Sequence, residues 1–205
     1  MSLLIKGALL GVLIAAPVGP MSILCMRRSL EHGWLVGACS GLGIALADGF
    51  YAACAAFGIA AVSALIAVLR TPLHLAGGLA LCCLGISMLH ERARASASST
   101  GNATPRVAPL AAFVTTFGLT VVNPATIVSF AGLYAGAVSL GAGLNAGPAA
   151  LLVAGTFLGS LGWWLALSGA ISTTRRLLNE KAMRWIRVAS SLCLVAFGVA
   201  AFVTR

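Results

Sequence analysis

Apolar residues run along this chain in blocks much longer than a water-soluble core requires. Between Lys6 and Arg27 no residue is charged, and the first block fills that interval. Arg27, Arg28, Glu31, His32 and Gly33 follow as a short polar stretch that reads as a turn. A second block runs from about Trp34 to Ala67, broken only by Asp48, and Arg70-Thr71-Pro72 closes it. A third covers about Leu73 to Leu89. From Val107 to Thr174 there is no charge at all, which is too long for one crossing of a hydrocarbon core that takes about 20 residues. Gly141, Gly143, Asn145, Gly147 and Pro148 supply the turn inside it. The fourth and fifth helices are then about Leu110 to Val138 and Ala149 to Ile171. A basic turn, Arg175 to Arg187, precedes a sixth helix that ends near Val203.

This pattern predicts an all-α membrane protein with six transmembrane helices. The one real linker, ERARASASSTGNATPRVAP, lies near the middle of the chain and is polar and flexible in composition. It divides the chain into a first three-helix repeat over 1–90, a linker over 91–109 and a second three-helix repeat over 110–205. With three helices in each, the repeats run through the bilayer in opposite directions, a recurring transporter architecture. A short internal echo fits: Gly11 and Pro17 are spaced as Gly118 and Pro124 are, and aligning Gly19-Pro20 with Asn123-Pro124 is an equally good register. Small residues four apart, Gly7 and Gly11, Gly37 and Gly41, Gly155 and Gly159, mark faces for close helix packing and leave a homodimer open.

Composition agrees: 60% of residues are hydrophobic and 8% charged, against about 25% charged in soluble domains. The apolar character continues through the whole chain, so the first 26 residues read as a helix rather than a cleaved signal. The net charge of +9 would suggest nucleic acid in a soluble protein. Here the basic residues sit between apolar blocks without the interleaved aromatics that stack bases, and no nucleic-acid partner is expected. The turns after helices one, three and five hold ten of the thirteen Lys and Arg: Arg27, Arg28, Arg92, Arg94, Arg106, Arg175, Arg176, Lys181, Arg184 and Arg187. Lys6, Arg70 and Arg205 are on the other side. The positive-inside rule makes the linker cytoplasmic and places both termini in the periplasm. Cys25, Cys39, Cys54, Cys82, Cys83 and Cys193 all lie in apolar runs with no C-x-x-C pair, so neither a disulfide framework, a metal site nor another cofactor is expected.

Three places can carry chemistry. Pro17-Val18-Gly19-Pro20 removes two helical N–H donors within four residues, a break tolerated in a membrane only inside protein or beside a watery cavity. The half-helix after Pro20, with Ser22, offers an anion site at its N-terminus. Asn123-Pro124, with Thr126, repeats the arrangement in the fourth helix, and interrupted helices at corresponding positions of two halves point to a transport site. Asp48 is the one acid inside a span, where it costs roughly 2.5–3.5 kcal/mol on insertion scales; it reads as part of an ion or proton pathway, the alternative being an acid bonded to Ser, Tyr or backbone to join helices. Tyr51, one turn on, can hydrogen-bond Asp48 or a substrate, and Trp163 or Trp164 can line the cavity. His32, His74 and His90 sit near boundaries and read as interfacial.

These residues together resemble the lysine exporter and homoserine/threonine exporter (LysE/RhtB) family: the helix-one Pro-x-Gly-Pro, Arg27-Arg28, Gly43-Ile-Ala-Leu-Ala-Asp48, Asn123-Pro124 and Trp163-Trp164. The resemblance implies six helices in the bacterial inner membrane, no enzyme activity, and amino-acid efflux driven by the proton gradient. It carries roles onto Pro17, Gly19, Pro20, Asp48, Asn123 and Pro124. Many members follow Asn-Pro with Lys, whereas this chain has Ala125. The expected partners are an amino acid or similar zwitterion, protons and lipid. Two other readings are weighed. A thiol-disulfide electron carrier of the CcdA type needs a central cysteine in each half, yet the counterpart of Cys25 is Gly132 in one register and Ser129 in the other, and Cys193 is the second half's only cysteine. A channel needs charged or carbonyl rings, and none is evident.

Overall fold

The computed structural model describes residues 2–57, 72, 75–87, 107–123, 126, 129–130, 146–174 and 180–203. All regular elements among them are α-helices: α1 Leu3–Ala15, α2 Pro20–His32, α3 Trp34–Ala56, α4 Leu75–Ser87, α5 Pro109–Val121, α6 Ala146–Thr174 and α7 Glu180–Val203. By length and hydropathy α3, α6 and the stretch Lys181–Ala200 of α7 can each cross a bilayer, and α1 with α2 makes a fourth span bent by 84°. Most of the expected linker, the second helix beyond Phe57 and residues 141–145 of the expected turn lie outside the described residues, whereas Gly147 and Pro148, expected in that turn, are already part of α6.

The distribution of polarity is the reverse of a soluble protein's. The most deeply buried side chains include Ser29, Ser40, Thr116, Thr120, Ser160, Ser168 and Ser191. Leu9, Leu13, Leu46, Phe50, Leu110, Val114 and Leu158 are exposed. In lipid, apolar side chains lose nothing by facing outward, and association relies on close packing and interhelical hydrogen bonds. The chain is a multi-pass membrane protein.

Glycine positions show how close the packing is. A Cβ on Gly7 or Gly11 would run into the α6 backbone at Leu152 and Thr156, and one on Gly155 or Gly159 would strike the α1 backbone at Leu4 and Ala8. These pairs rise together in number, so α1 and α6 are parallel. Across α3 and α6, Gly37 meets Ser168, Gly41 meets Trp164 and Gly49 meets Phe157, an antiparallel pair. Gly43 lies on Phe113 and Phe117, Thr116 donates to the Ser40 carbonyl at 2.8 Å, and further along both helices Tyr51 reaches Val121, which sets α3 parallel to α5. Gly85 against Ser191 and Val195, with Gly198 against Cys82, makes α4 and α7 antiparallel.

One expectation is overturned. Arg27, Arg28, Glu31 and His32 are not a turn: α2 continues to His32, and Gly33, at φ 90°, makes the corner into α3. A straight helix from Lys6 would reach the membrane surface by Arg27, but the 84° bend spends α2 on a sideways path, so both arginines remain among the other helices. Likewise α7 already includes Lys181, Arg184 and Arg187, which were expected in the preceding turn.

Candidate functional site

The Pro17–Pro20 motif breaks the first span as its chemistry requires. Pro20 is the first residue of α2, where a missing N–H costs nothing. Ser22 closes the corner: its hydroxyl donates to the Pro17 carbonyl at 3.2 Å and accepts the Gly19 N–H at 3.4 Å. Ile23 N–H returns to the Gly19 carbonyl at 3.1 Å. The N–H groups of Met21 and Ser22 are then first-turn donors with no helical acceptor. Pro20, Met21 and Ser22 are buried, while Pro17 and Val18 are exposed and Gly19 has open space at its Cβ position. Ser22 therefore spends its hydroxyl on the bend itself.

Asp48 is 3% exposed and accepts a 2.6 Å hydrogen bond from Ser160 of α6. Ser160 is also where Gly11 packs, its backbone nitrogen lying 2.8 Å from the place of a Gly11 Cβ. Gly11 is one turn before the end of α1, so the carboxyl and the first break meet around one residue of α6. Tyr51, one turn from Asp48, does not reach for it. Its hydroxyl donates to the Val121 carbonyl at 2.5 Å, and its ring stacks on Phe130 at 5.5 Å. Val121 is the last residue of α5, and Asn123, 7% exposed, folds its N–H back to the Thr120 carbonyl at 3.1 Å. Thr126 is helical and half-buried, and Pro124 lies outside the described residues. One face of α3 thus links two interrupted stretches: Asp48 by way of Ser160 to the first, Tyr51 directly to the second.

On α6, Thr156, Ser160, Trp164 and Ser168 recur every fourth residue and are all buried. Trp164 is the buried member of the tryptophan pair, and Trp163 is half-buried at the edge of the same cluster. Ser168 lies 3.5 Å from the Cys25 thiol, which also donates to the Gly37 carbonyl at 3.5 Å. All six cysteines are free thiols, and no group of three His, Cys, Asp or Glu among the described residues has metal-binding geometry.

Sequence reasoning missed the arginines. Arg28 donates to Ser40 at 3.2 Å, to the Ala112 carbonyl at 2.9 Å and to Thr115 at 2.8 Å, joining α2 to α3 and α5. No carboxylate among the described residues pairs with it. Arg27 pairs with Glu31 at 2.9 Å and donates to Ser191 of α7 at 2.9 Å. His32 lies 3.9 Å from Glu31. The signal was present: Met21, Leu24, Cys25 and Arg28 fall at i, i+3, i+4 and i+7, the stripe of a buried helix face.

A family model for the LysE type translocator matches residues 12–205. The chain is similar to the "Putative amino acid efflux protein YcgF" of Bacillus subtilis (strain 168), 26% identical over 199 residues that cover 97% of this chain and 94% of that protein. No solved structure matches.

Proposed function

This chain belongs to the LysE type translocator family, and from that premise we infer that it exports amino acids, or a similar small zwitterion, across the bacterial inner membrane by proton antiport. The observation that carries the reading is Asp48: a carboxyl inside an apolar helix, buried and held by one serine whose turn of α6 packs on α1 just ahead of the first helix break. The amino-acid substrate is supported by the relative's efflux designation.

In this reading the substrate ammonium binds the ionised Asp48 from the cytoplasm, and its carboxylate lies at the N-terminus of α2 near Met21 and Ser22. A proton entering from the periplasm neutralises Asp48 and releases the ammonium there. Loss of that proton to the cytoplasm restores the site. One charge moved through 100 mV is worth about 2.3 kcal/mol, and about 1.4 kcal/mol is a tenfold ratio, so one charge sustains roughly a forty-fold outward gradient. Pro17, Gly19, Pro20, Ser22, Asn123, Pro124 and Thr126 shape the two breaks, Tyr51 ties the second to α3, and Trp163 stands at the edge of the cluster around the first.

The same reading takes the protein as six spans in two inverted repeats, divided at 91–109. If helices one, two and three correspond to four, five and six, a twofold exchange turns the one–five pair into the four–two pair and leaves two–five and three–six unchanged. The pairs that pack follow that exchange: α1 meets α6 as α3 meets α5, and α3·α6 and α4·α7 map onto themselves. For orientation, removing buried Arg27 and Arg28 from the ten basic residues leaves eight against three, still favouring periplasmic termini. The test is efflux from proteoliposomes loaded with a panel of amino acids, with and without a pH gradient. Efflux accelerated by the gradient is expected; flux indifferent to it overturns the coupling, and no flux of any panel member overturns the substrate class.

A further inference from the structure

Among the described residues a single buried side-chain nitrogen or oxygen has no hydrogen-bond partner, and it is Nε1 of Trp164. The residue is 2% exposed. A buried donor without an acceptor is rare in native proteins, and such a group calls for an explanation. The surroundings supply one. Trp164 belongs to one cluster with Ala15, the last residue before the break, with Met21 and Leu24 just after it, and with Ile44 and Ala45 on the helix of Asp48. Its Cβ rests on Gly41, where a side chain would come within 2.5 Å. One turn back on α6, Ser160 bonds Asp48 at 2.6 Å. Long helical side chains lean toward the N-terminus of their helix, which carries the indole over the Ser160 turn.

The Asp48 carboxyl of α3, held at the Ser160 turn, and an unanswered N–H donor on the next turn thus meet one face of α6, and the donor's cluster takes in Met21 at the start of α2. The free α-amino and α-carboxyl groups of an amino acid need that pair: an acceptor for the ammonium and donors for the carboxylate. We propose that the indole N–H of Trp164 is a substrate-carboxylate donor, and that it makes the protein selective for solutes bearing a free carboxylate over amines and carboxamides. The proposal rests on the export reading above and names Trp164, in place of Trp163, as the tryptophan that touches substrate.

The test uses the full-length protein in proteoliposomes. Labelled leucine, threonine and lysine are exported in competition with the same amino acids unlabelled and with leucinamide, threoninamide and lysinamide. Wild type, Trp164→Phe and, as a control, Trp185→Phe on the exposed side of α7 are compared. Wild type is expected to prefer acid over amide. Trp164→Phe is expected to raise KM for the acid about ten-fold with Vmax little changed, and to leave the amide's competition as it was. Trp185→Phe should match wild type. A merely structural role, or an indole that serves a water, would weaken acid and amide alike, and that result overturns the proposal. So does a Trp164→Phe protein with unchanged selectivity. Should Trp164→Phe fail to fold, replacing the residue with benzothienylalanine keeps the ring and removes only the N–H, with the same expectations. Wild type that moves none of the three amino acids defeats the export reading itself, a result distinct from export that ignores Trp164.

Discussion

Adding one methyl group at Gly11 should loosen the seam that holds Ser160 against Asp48. The ideal position of that carbon runs into the Thr156 carbonyl oxygen and lies 2.8 Å from the Ser160 nitrogen and 2.9 Å from the Thr156 carbonyl carbon. These are backbone atoms of α6 and have no rotamer to escape into. Non-bonded carbons rest about 3.5–4 Å apart, so α1 and α6 must separate by roughly 1 Å. Overpacking of this kind costs about 1–3 kcal/mol. Alanine recovers about 0.8–1 kcal/mol of helix propensity over glycine. Gly162 on α6 provides the reference, because nothing lies within 4 Å of its Cβ position. There alanine gains the propensity alone. Propensity cancels between Gly11→Ala and Gly162→Ala, and the difference in unfolding free energy should be the steric part, about 1–3 kcal/mol. Denaturation by SDS in mixed micelles, followed by tryptophan fluorescence, measures it. Gly11→Ala should also export more slowly, since the residue displaced is the one that holds Asp48. If Gly11→Ala proves as stable as Gly162→Ala, the close approach of α1 to α6 is wrong, and with it the placing of the break beside Asp48.

Further outcomes follow from individual contacts. Asp48→Asn should fold as wild type does but, as a mimic of the neutral state that lets the ammonium go, should lose substrate exchange in a counterflow assay together with all response of net efflux to a pH gradient; gradient-driven efflux at the wild-type rate refutes the proton role. Tyr51→Phe removes the hydroxyl bonded to the Val121 carbonyl and should cost about 1–3 kcal/mol in the same SDS titration if that carbonyl is left without a partner. Arg28→Lys keeps a buried charge but cannot reach acceptors on both α3 and α5, so it should lose about 1.5–3 kcal/mol. Arg28→Met should be less destabilising, since Ser40 and Thr115 keep their bonds to Val36 and Ala111; the opposite order would mean that the charge itself holds the helices.

The helical class, the break at Pro17–Pro20 and the glycine seams were legible because each follows from one local rule. Proline removes donors, small residues let backbones approach, and charge-free blocks belong in lipid. What escaped was where the bent segment goes. Charges at the end of a 20-residue apolar run read as interfacial only if the run is straight, and the motif that announced the break also invalidated that reading for Arg27 and Arg28. The bond of Tyr51 escaped for a related reason: a helix interrupted before Asn123 needs donors for its freed carbonyls, and the Tyr51 hydroxyl on α3 answers Val121 rather than Asp48. The partner of Asp48 was not legible at all. Ser160 is one of five serines in an uncharged stretch, and only the antiparallel register of α3 and α6 selects it.

That register also bears on whether Asp48 serves structure or transport. An acid could be kept in a span simply to join two helices. Here the α3–α6 contact is already made on either side of it by Gly37 with Ser168, Gly41 with Trp164 and Gly49 with Phe157, all at close range. A serine hydroxyl offers one hydrogen bond, and an asparagine at position 48 could accept the same bond from Ser160 without a carboxyl's burial cost. The structural requirement is therefore met more cheaply without an acid. What asparagine lacks is an exchangeable charge. In the proposed antiport that exchangeable charge is what position 48 supplies, and a membrane charge costing a few kcal/mol is then accounted for by use rather than by packing.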